Sequence, residues 1–543
     1  MAKLSVYEEW LTMAAGDPAV YNELLSIKDD ERAIEDRFFK ELSFGTGGLR
    51  GKLGAGTNRM NVYSVAKATF GLADYILSKK GDGVAIAFDS RNMSKEFARL
   101  VAEIMSFKGI RAYLFDTLMP TPVLSFTVRK FKLFCGVVIT ASHNPKEYNG
   151  YKVYNEKGCQ LTDGAAAEVT RFIEGYGYFN EFTPREELIT VIGEEVLDEF
   201  IDAVMEYSLP FDKKYLPSVV YTPLCGTGNI PVQKLFSRLG IKDYVIVPEQ
   251  REPDGNFTTC PFPNPEEKSA LTLALDLAKE KGAELVLATD PDADRVGIAV
   301  KDGDDYRLLN GNETGILMEN FILSVLKKEN RTPEKAYVVK TVVTSDLAER
   351  VANSFGVSVK NVLTGFKYIG ETIDKYTDEN YVFGMEESYG YLVGRHVRDK
   401  DAISAVMIIV EMFSFYAENG GTVLSALEDL YDRFGHFNSA LYYKVFEGKS
   451  GMEYMKNFTE NLRLAPWKDV AGEKVLSVTD YKKGIDGLPK SDVLVFSGDR
   501  FSLVVRPSGT EPKLKVYVTA KGKTREESLI LNDKILDFIK GKM

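Results

Sequence analysis

The stretch ELVLATDPDADR, residues 284–295, reads as one buried strand and the loop that it delivers. Leu285 to Ala288 is uninterrupted and apolar, the pattern of a strand covered on both faces. Asp290, Asp292 and Asp294 follow at alternating positions in a tight loop. Such carboxylates can converge on one hard cation. An all-oxygen set suits magnesium, which commonly keeps a phosphate oxygen as a further ligand. Arg295 adds a guanidinium fork that fits another phosphate oxygen. Pro291 and Arg295 break the loop pattern that an EF-hand requires. Aspartates also cluster in solvated turns, but three of them directly after a buried strand favour an ion.

Outward from this stretch the texture repeats. The helix-like ALTLALDLAKEKG (270–282) precedes it, and before that come SVVYTPL (218–224), VQKLFSRLG (232–240) and YVIVP (244–248). Towards the N-terminus, VAIAF (84–88), the helical SKEFARLVAEIMSFKG (94–109), AYLFD (112–116) and FCGVVIT (134–140) form a similar unit. Towards the C-terminus, AYVVKTVVTS (336–345), a helix through Phe355, VKNVLTG (359–365), YVFGMEES (381–388) and a long apolar helix around 402–418 form a third. Short apolar strands alternating with helices predict α/β units. From about 440 the order changes to several strands and a terminal helix, which predicts a smaller α+β unit. The expected domains are 1–206, 207–310, 311–436 and 437–543. Residues 5–42 are polar and helix-prone.

A chain of 543 residues exceeds what one core usually supports, so several domains are expected. The formal net charge of -11 argues against nonspecific binding to nucleic acid or anionic membrane. It leaves room for a local basic pocket that binds a phosphorylated small molecule. Cys135, Cys159, Cys225 and Cys260 form no C-x-x-C pair, so reduced, buried thiols are expected. No stretch approaches the ~18 apolar residues of a membrane span, and the N-terminus does not read as a signal peptide. A cytoplasmic location follows by elimination.

Three more loops carry chemistry. TASHNP (140–145) follows a buried-looking strand; Asn144-Pro145 ends it and Asn149-Gly150 is read as a second turn. That places the Ser142 hydroxyl at a strand end, where it can serve as a covalent phosphate carrier. GMEESYG (384–390) sets Glu386 and Ser388 two apart, on one side if the segment is extended. Both side-chain types suit sugar hydroxyls. RPSGTEPK (506–513) combines a fixed cation, two hydroxyls and Gly509, whose lack of a side chain lets backbone N–H groups approach an anion. Arg506, Ser508 and Thr510 together can hold a phosphate. Alone, each of these has a bland alternative as an ordinary turn.

Together, and in this order, the four loops resemble those of the α-D-phosphohexomutase family, most closely its phosphoglucomutase and phosphopentomutase branch. The resemblance implies four domains around a central cleft, each giving one loop. It implies that Ser142 carries the phosphate and that Asp290, Asp292 and Asp294, with Ser142, surround Mg²⁺. Arg50 in GGLRG, Lys152 and Arg295 would line the reacting phosphate, and His143 would support the loop. Lys367 in TGFKY (364–368), Glu386 and Ser388 would contact the sugar. Arg506, Ser508, Gly509 and Thr510 would hold the phosphate that is not reacting. Lys400 or His396, in RHVRDKD (395–401), would be the general base, with Lys152 a further contender. The implied reaction interconverts glucose 1-phosphate and glucose 6-phosphate, with glucose 1,6-bisphosphate as intermediate and activator. The alternatives are a pentose- or mannose-phosphate mutase, a glucose 1,6-bisphosphate synthase, or a silent sugar-phosphate binder.

Overall fold

The computed structural model describes every residue except Met1, Thr46, Glu447, Asp486 and the run 508–512. Four main sheets follow one another along the chain, accompanied by a small two-stranded one. The first has the spatial order Gly48–Lys52, Tyr148–Asn155, Cys135–Ile139, Gly83–Phe88, Arg111–Phe115, Ile189–Ile192. Its last four strands are parallel, and the first two are antiparallel additions. Helices Val62–Ser78, Ser94–Phe107 and Thr121–Lys130 supply the crossovers that parallel neighbours need. Asn61 caps the first of these, its side chain accepting the N–H of Ser64 at 2.9 Å while Ser64 Oγ accepts the Asn61 N–H at 3.0 Å.

The second sheet runs Asp305–Leu309, Val296–Asp302, Leu285–Thr289, Val219–Thr222, Tyr244–Ile246, and the third Ser358–Val362, Ala336–Thr341, Asn380–Glu386, Gly390–Val393. The fourth is fully antiparallel, in the order His436–Val445, Lys513–Gly522, Phe501–Pro507, Leu494–Ser497, Ser477–Asp480. Helix Arg525–Lys542 packs on it. The expected architecture, three mixed α/β units and a smaller α+β unit, is what forms.

One device recurs in the first three sheets. A buried parallel strand ends, a short loop follows, and the chain returns antiparallel beside it. Cys135–Ile139 returns as Tyr148–Asn155, Leu285–Thr289 as Val296–Asp302, and Asn380–Glu386 as Gly390–Val393. In the fourth, strands Phe501–Pro507 and Lys513–Gly522 flank residues 508–512. In the first three sheets the chemistry-bearing segments therefore sit at hairpin tips on strand ends, where open α/β sheets bind ligands.

Asn149-Gly150 is not the expected turn. Both residues lie inside Tyr148–Asn155, with Gly150 opposite Arg50. Glycine is needed there because of close approach: a Cβ would stand 2.4 Å from the Thr140 carbonyl oxygen and 3.1 Å from that of Leu49. The four cysteines are free and buried, as expected. No single helix among the described residues is long and apolar enough to cross a membrane. Helix Ala402–Glu418 is apolar because it lies in a core shared by the first three sheets.

Candidate active site

Ser142 stands just beyond strand Cys135–Ile139 with φ at 52°, a left-handed conformation uncommon outside glycine. Its N–H donates to Thr140 Oγ1 at 2.8 Å. The turn swings its hydroxyl across to the second sheet, where Oγ donates to Asp290 Oδ2 at 2.7 Å. His143 Nδ1 lies 3.1 Å from Ser142 Oγ. Burial, then Arg295 and Arg50, push the His143 imidazole well below its usual range, so it is neutral. Arg50 Nη1 donates to Asn144 Oδ1 at 3.0 Å.

Under the loop lies Arg91, which the sequence reading missed. Its buried guanidinium donates to the carbonyls of Ser142 and Asn144, of Pro145 at 2.9 Å and of Tyr148 at 3.1 Å. Asp89 Oδ2 balances its charge at 3.3 Å from Nε. The signal was present: Asp89-Ser-Arg91 directly follows the buried strand Gly83–Phe88.

Asp290, Asp292 and Asp294 are all buried, with one carboxylate oxygen from each lying within 4.8 Å of the others. Asp290 Oδ1 accepts the N–H groups of Asp294 and Arg295 at 3.1 and 3.0 Å. Asp292 Oδ2 accepts from Lys152 Nζ at 2.7 Å and Thr121 Oγ1 at 2.8 Å. Asp294 Oδ2 lies 3.1 Å from Lys400 Nζ. The other oxygens, Asp292 Oδ1 and Asp294 Oδ1, are buried with no hydrogen-bond partner among the described residues. An unpartnered buried carboxylate oxygen is costly unless a cation meets it. The donor set fits a hard divalent ion. Burial, then Asp292 and Asp294, raise the Asp290 carboxyl well above its usual range. Burial acts the same way on Asp292, but Lys152 outweighs it and holds that carboxyl well below. Arg295 pairs with Glu266 at 2.7 Å.

In the third loop the strand stops at Glu386 and residues 387–389 form a turn, with Tyr389 at φ 65°. The extended reading that put Glu386 and Ser388 on one side does not hold: Glu386 is the last strand residue and Ser388 lies in the turn. Glu386 Oε1 accepts the Gly365 N–H at 2.8 Å. Glu387, also missed, accepts from Thr341 Oγ1 at 3.2 Å and Thr344 Oγ1 at 3.4 Å. Burial, then Glu386, push its carboxyl up to about 7. Lys367 Nζ is engaged by Asp163 at 2.5 Å, across the first and third units.

Lys400 bridges Asp294 and Asp399, 3.0 Å from the latter, and Asp399 accepts from Tyr154 Oη at 2.7 Å. Burial lowers Lys400, but Asp294 and Asp399 raise it further, so it is held protonated. Lys152 is likewise lowered by burial and raised further by Asp292 and Asp294. His396 does not join them. Its Nε2 is 2.8 Å from Asp401 Oδ2, and its ring packs against Phe200 and Tyr207. Arg506 is the last residue but one of strand Phe501–Pro507, opposite Lys515. Ser508, Gly509 and Thr510 lie outside the described residues.

Comparison with known proteins matches these units one by one. Residues 41–178, 198–303 and 310–434 match the phosphoglucomutase/phosphomannomutase alpha/beta/alpha domains I, II and III, and residues 463–531 match the C-terminal domain of the same family. A phosphoglucomutase of Staphylococcus saprophyticus is 38% identical over 510 residues, covering 90% of this chain and 92% of that protein. A phosphoglucomutase/phosphomannomutase family protein from Burkholderia thailandensis superposes with a TM-score of 0.71 at 18% identity, covering 92% and 97% of the two chains. The Paramecium phosphoglucomutase parafusin, in an open form, superposes with a TM-score of 0.67 at 17% identity, covering 92% and 96%. The chain belongs to the phosphoglucomutase/phosphomannomutase family.

Proposed function

We propose that this protein interconverts α-D-glucose 1-phosphate and glucose 6-phosphate, with Ser142 carrying the phosphoryl group and glucose 1,6-bisphosphate as the intermediate. The observation that carries the reading is the 2.7 Å contact between Ser142 Oγ and Asp290, a member of a buried aspartate triad in which two oxygens, Asp292 Oδ1 and Asp294 Oδ1, have no hydrogen bond among the described residues. Nucleophile and cation site are thereby one centre.

Asp290, Asp292, Asp294 and the Ser142 oxygen would hold Mg²⁺. When bound, the ion supplies charge neutralisation at the transferring phosphoryl group. The chain's own groups supply position. Arg50, Lys152 and Arg295 surround the reacting phosphate as fixed cations. His143, neutral and beside Ser142 Oγ, adds a ring nitrogen to the site without adding charge. Glu386, Ser388 and Lys367 engage sugar hydroxyls, and Arg506 with residues 508–510 takes the distal phosphate. In the first transfer the phosphoserine Oγ–P bond breaks, a bond from phosphorus to a sugar hydroxyl oxygen forms, the hydroxyl proton leaves and Ser142 Oγ regains one. In the second, the bond from the other phosphorus to its sugar oxygen breaks, Ser142 Oγ–P re-forms, and a proton moves from Oγ to the sugar oxygen. Of the two candidates for the sugar hydroxyl proton, Lys400 is the one that reaches the aspartates, whereas His396 is tied to Asp401. Held protonated in the unliganded site, Lys400 accepts the hydroxyl proton only after passing its own to solvent.

The test is conversion of glucose 1-phosphate with Mg²⁺ and catalytic glucose 1,6-bisphosphate, for wild type and Ser142→Ala. Wild-type turnover that drops by more than about a thousandfold in the variant is expected. Full activity in the variant refutes the phosphoserine. An inactive wild type that turns over ribose or mannose 1-phosphate moves the assignment to those sugars.

A further inference from the structure

Between helix Pro248–Arg251 and the short turn Lys268–Leu271, residues 252–267 form neither helix nor strand, yet they are tightly held. The Asp254 carboxylate accepts the N–H groups of Asn256 and Thr258, each at 2.8 Å. Phe257 then adopts φ 46° with its side chain fully buried, an outlier for an aromatic residue that the surroundings must impose.

The Phe257 ring has two neighbours of consequence. The Arg91 guanidinium lies over it at 4.9 Å. This is the arginine that grips the carbonyls of the phosphoserine loop. Phe257 also shares a small core with Leu224, Cys225, Cys260 and Ala270. That core leads directly to the metal loop: Gly226 is pressed so closely on Pro291 that a Cβ would lie 2.4 Å from its Cα, and the Thr227 N–H donates to the Pro291 carbonyl at 2.8 Å. Further along, Glu266 holds Arg295. Asn256 Oδ1 accepts from Asn92 Nδ2 at 3.1 Å, and Gly255 packs on Asn92.

We propose that residues 254–266 are a strap by which the second unit registers the phosphoserine loop against the metal loop, with Phe257 its positioning residue. The proposal rests on phosphoryl transfer at Ser142. The direct ties between the loops, Ser142 to Asp290 and Lys152 to Asp292, are made by groups that must re-form contacts during every transfer. The Phe257 contact stands apart from the reacting atoms, so it can hold the two loops in register while those ties exchange. Displacements of about an ångström at such a centre cost on the order of a hundredfold in rate.

The experiment compares Phe257→Ala, Phe257→Leu and Arg91→Lys with wild type by steady-state kinetics, melting midpoint and amide hydrogen exchange. Phe257→Ala is expected to lower kcat by about tenfold or more with KM within about threefold. Exchange should speed up at residues 140–147 and not across the rest of the first sheet. Phe257→Leu is expected to restore the melting midpoint but not kcat. Phe257→Ala combined with Arg91→Lys should be no worse than Arg91→Lys alone, because the Phe257 contact acts through Arg91. Wild-type kcat in Phe257→Leu, or exchange that rises evenly over the sheet, overturns the strap and leaves Phe257 a packing residue. An inactive wild type overturns the glucose phosphate assignment instead, and local exchange in the variants still decides the strap.

Discussion

Asp292 uses one oxygen for Lys152 and Thr121 and leaves the other buried without a partner. Asp292→Asn halves that arrangement: the ion pair weakens and a cation loses a charged ligand. Activity should fall by about 10²–10³-fold, and the Mg²⁺ concentration for half-maximal rate should rise. An unchanged Mg²⁺ titration would remove Asp292 from the ligand set. Glu387 gives a pH-dependent test. Burial and Glu386 raise its folded pKa to about 7, above the usual carboxylate value near 4.3. The stability that its protonated form contributes is complete below the unfolded value and is lost as pH rises through about 7. Glu387→Gln should therefore melt about 1–3 °C above wild type at pH 8 and show no such gain at pH 4. An equal shift at both pH values would show that the carboxyl does not titrate there. The residues legible in the sequence were those packed into short loops, such as Ser142 and the three aspartates. Thr121, Asp399 and Arg91 were not, because their roles come from distant partners; Thr121 and Asp292 are separated by 171 positions.

At the scale of elements, the strands that announced themselves were the apolar parallel ones, such as Gly83–Phe88, buried along its whole length. Their antiparallel returns were hidden. Tyr148–Asn155 reads YNGYKVYN, polar by composition, yet Asn149 and Lys152 within it are buried. Asn149 Nδ2 donates to the Asn92 carbonyl and to Ser94 Oγ, both at 3.0 Å, and Lys152 faces Asp292. Tertiary partners thus override the strand signal that alternation would have given. The fit of this strand can be tested at Gly150. An added methyl there meets two carbonyl oxygens of the adjoining strand ends, so the strands must part. Gly150→Ala should cost about 1–3 kcal/mol and also lower activity, because Arg50 is its register partner. Gly164, in helix Asp163–Glu174, has nothing within 4 Å of its would-be Cβ. Gly164→Ala is the control, expected to be neutral or to stabilise by up to about 1 kcal/mol. Equal melting midpoints for the two variants would contradict the close approach at Gly150.

At the scale of the molecule, packing divides the chain unevenly. One core runs from Ala85 to Tyr431 and joins the first three sheets. The last sheet has its own core, drawn from residues between Phe446 and Ile539. The buried seam between them is small: Val343 and Leu363 against Tyr481, Val493 and Val504. Across it Tyr517 of the fourth unit comes near Glu387 in the loop after strand Asn380–Glu386; burial and then Glu387 push its hydroxyl upward. A unit with its own core and a narrow seam should unfold on its own. Calorimetry of the unliganded protein is expected to show two transitions, the smaller belonging to residues after about 436. A bisphosphorylated sugar spanning the cleft would join the units. At a hundred times its dissociation constant it adds about 2.7 kcal/mol to whatever it binds, enough to draw the smaller transition towards the larger. If Arg506 holds the distal phosphate as proposed, Arg506→Ala should leave the unliganded trace unchanged and abolish that convergence. A single unliganded transition would mean that the narrow seam locks the four units together. Convergence that survives Arg506→Ala would place the distal phosphate elsewhere.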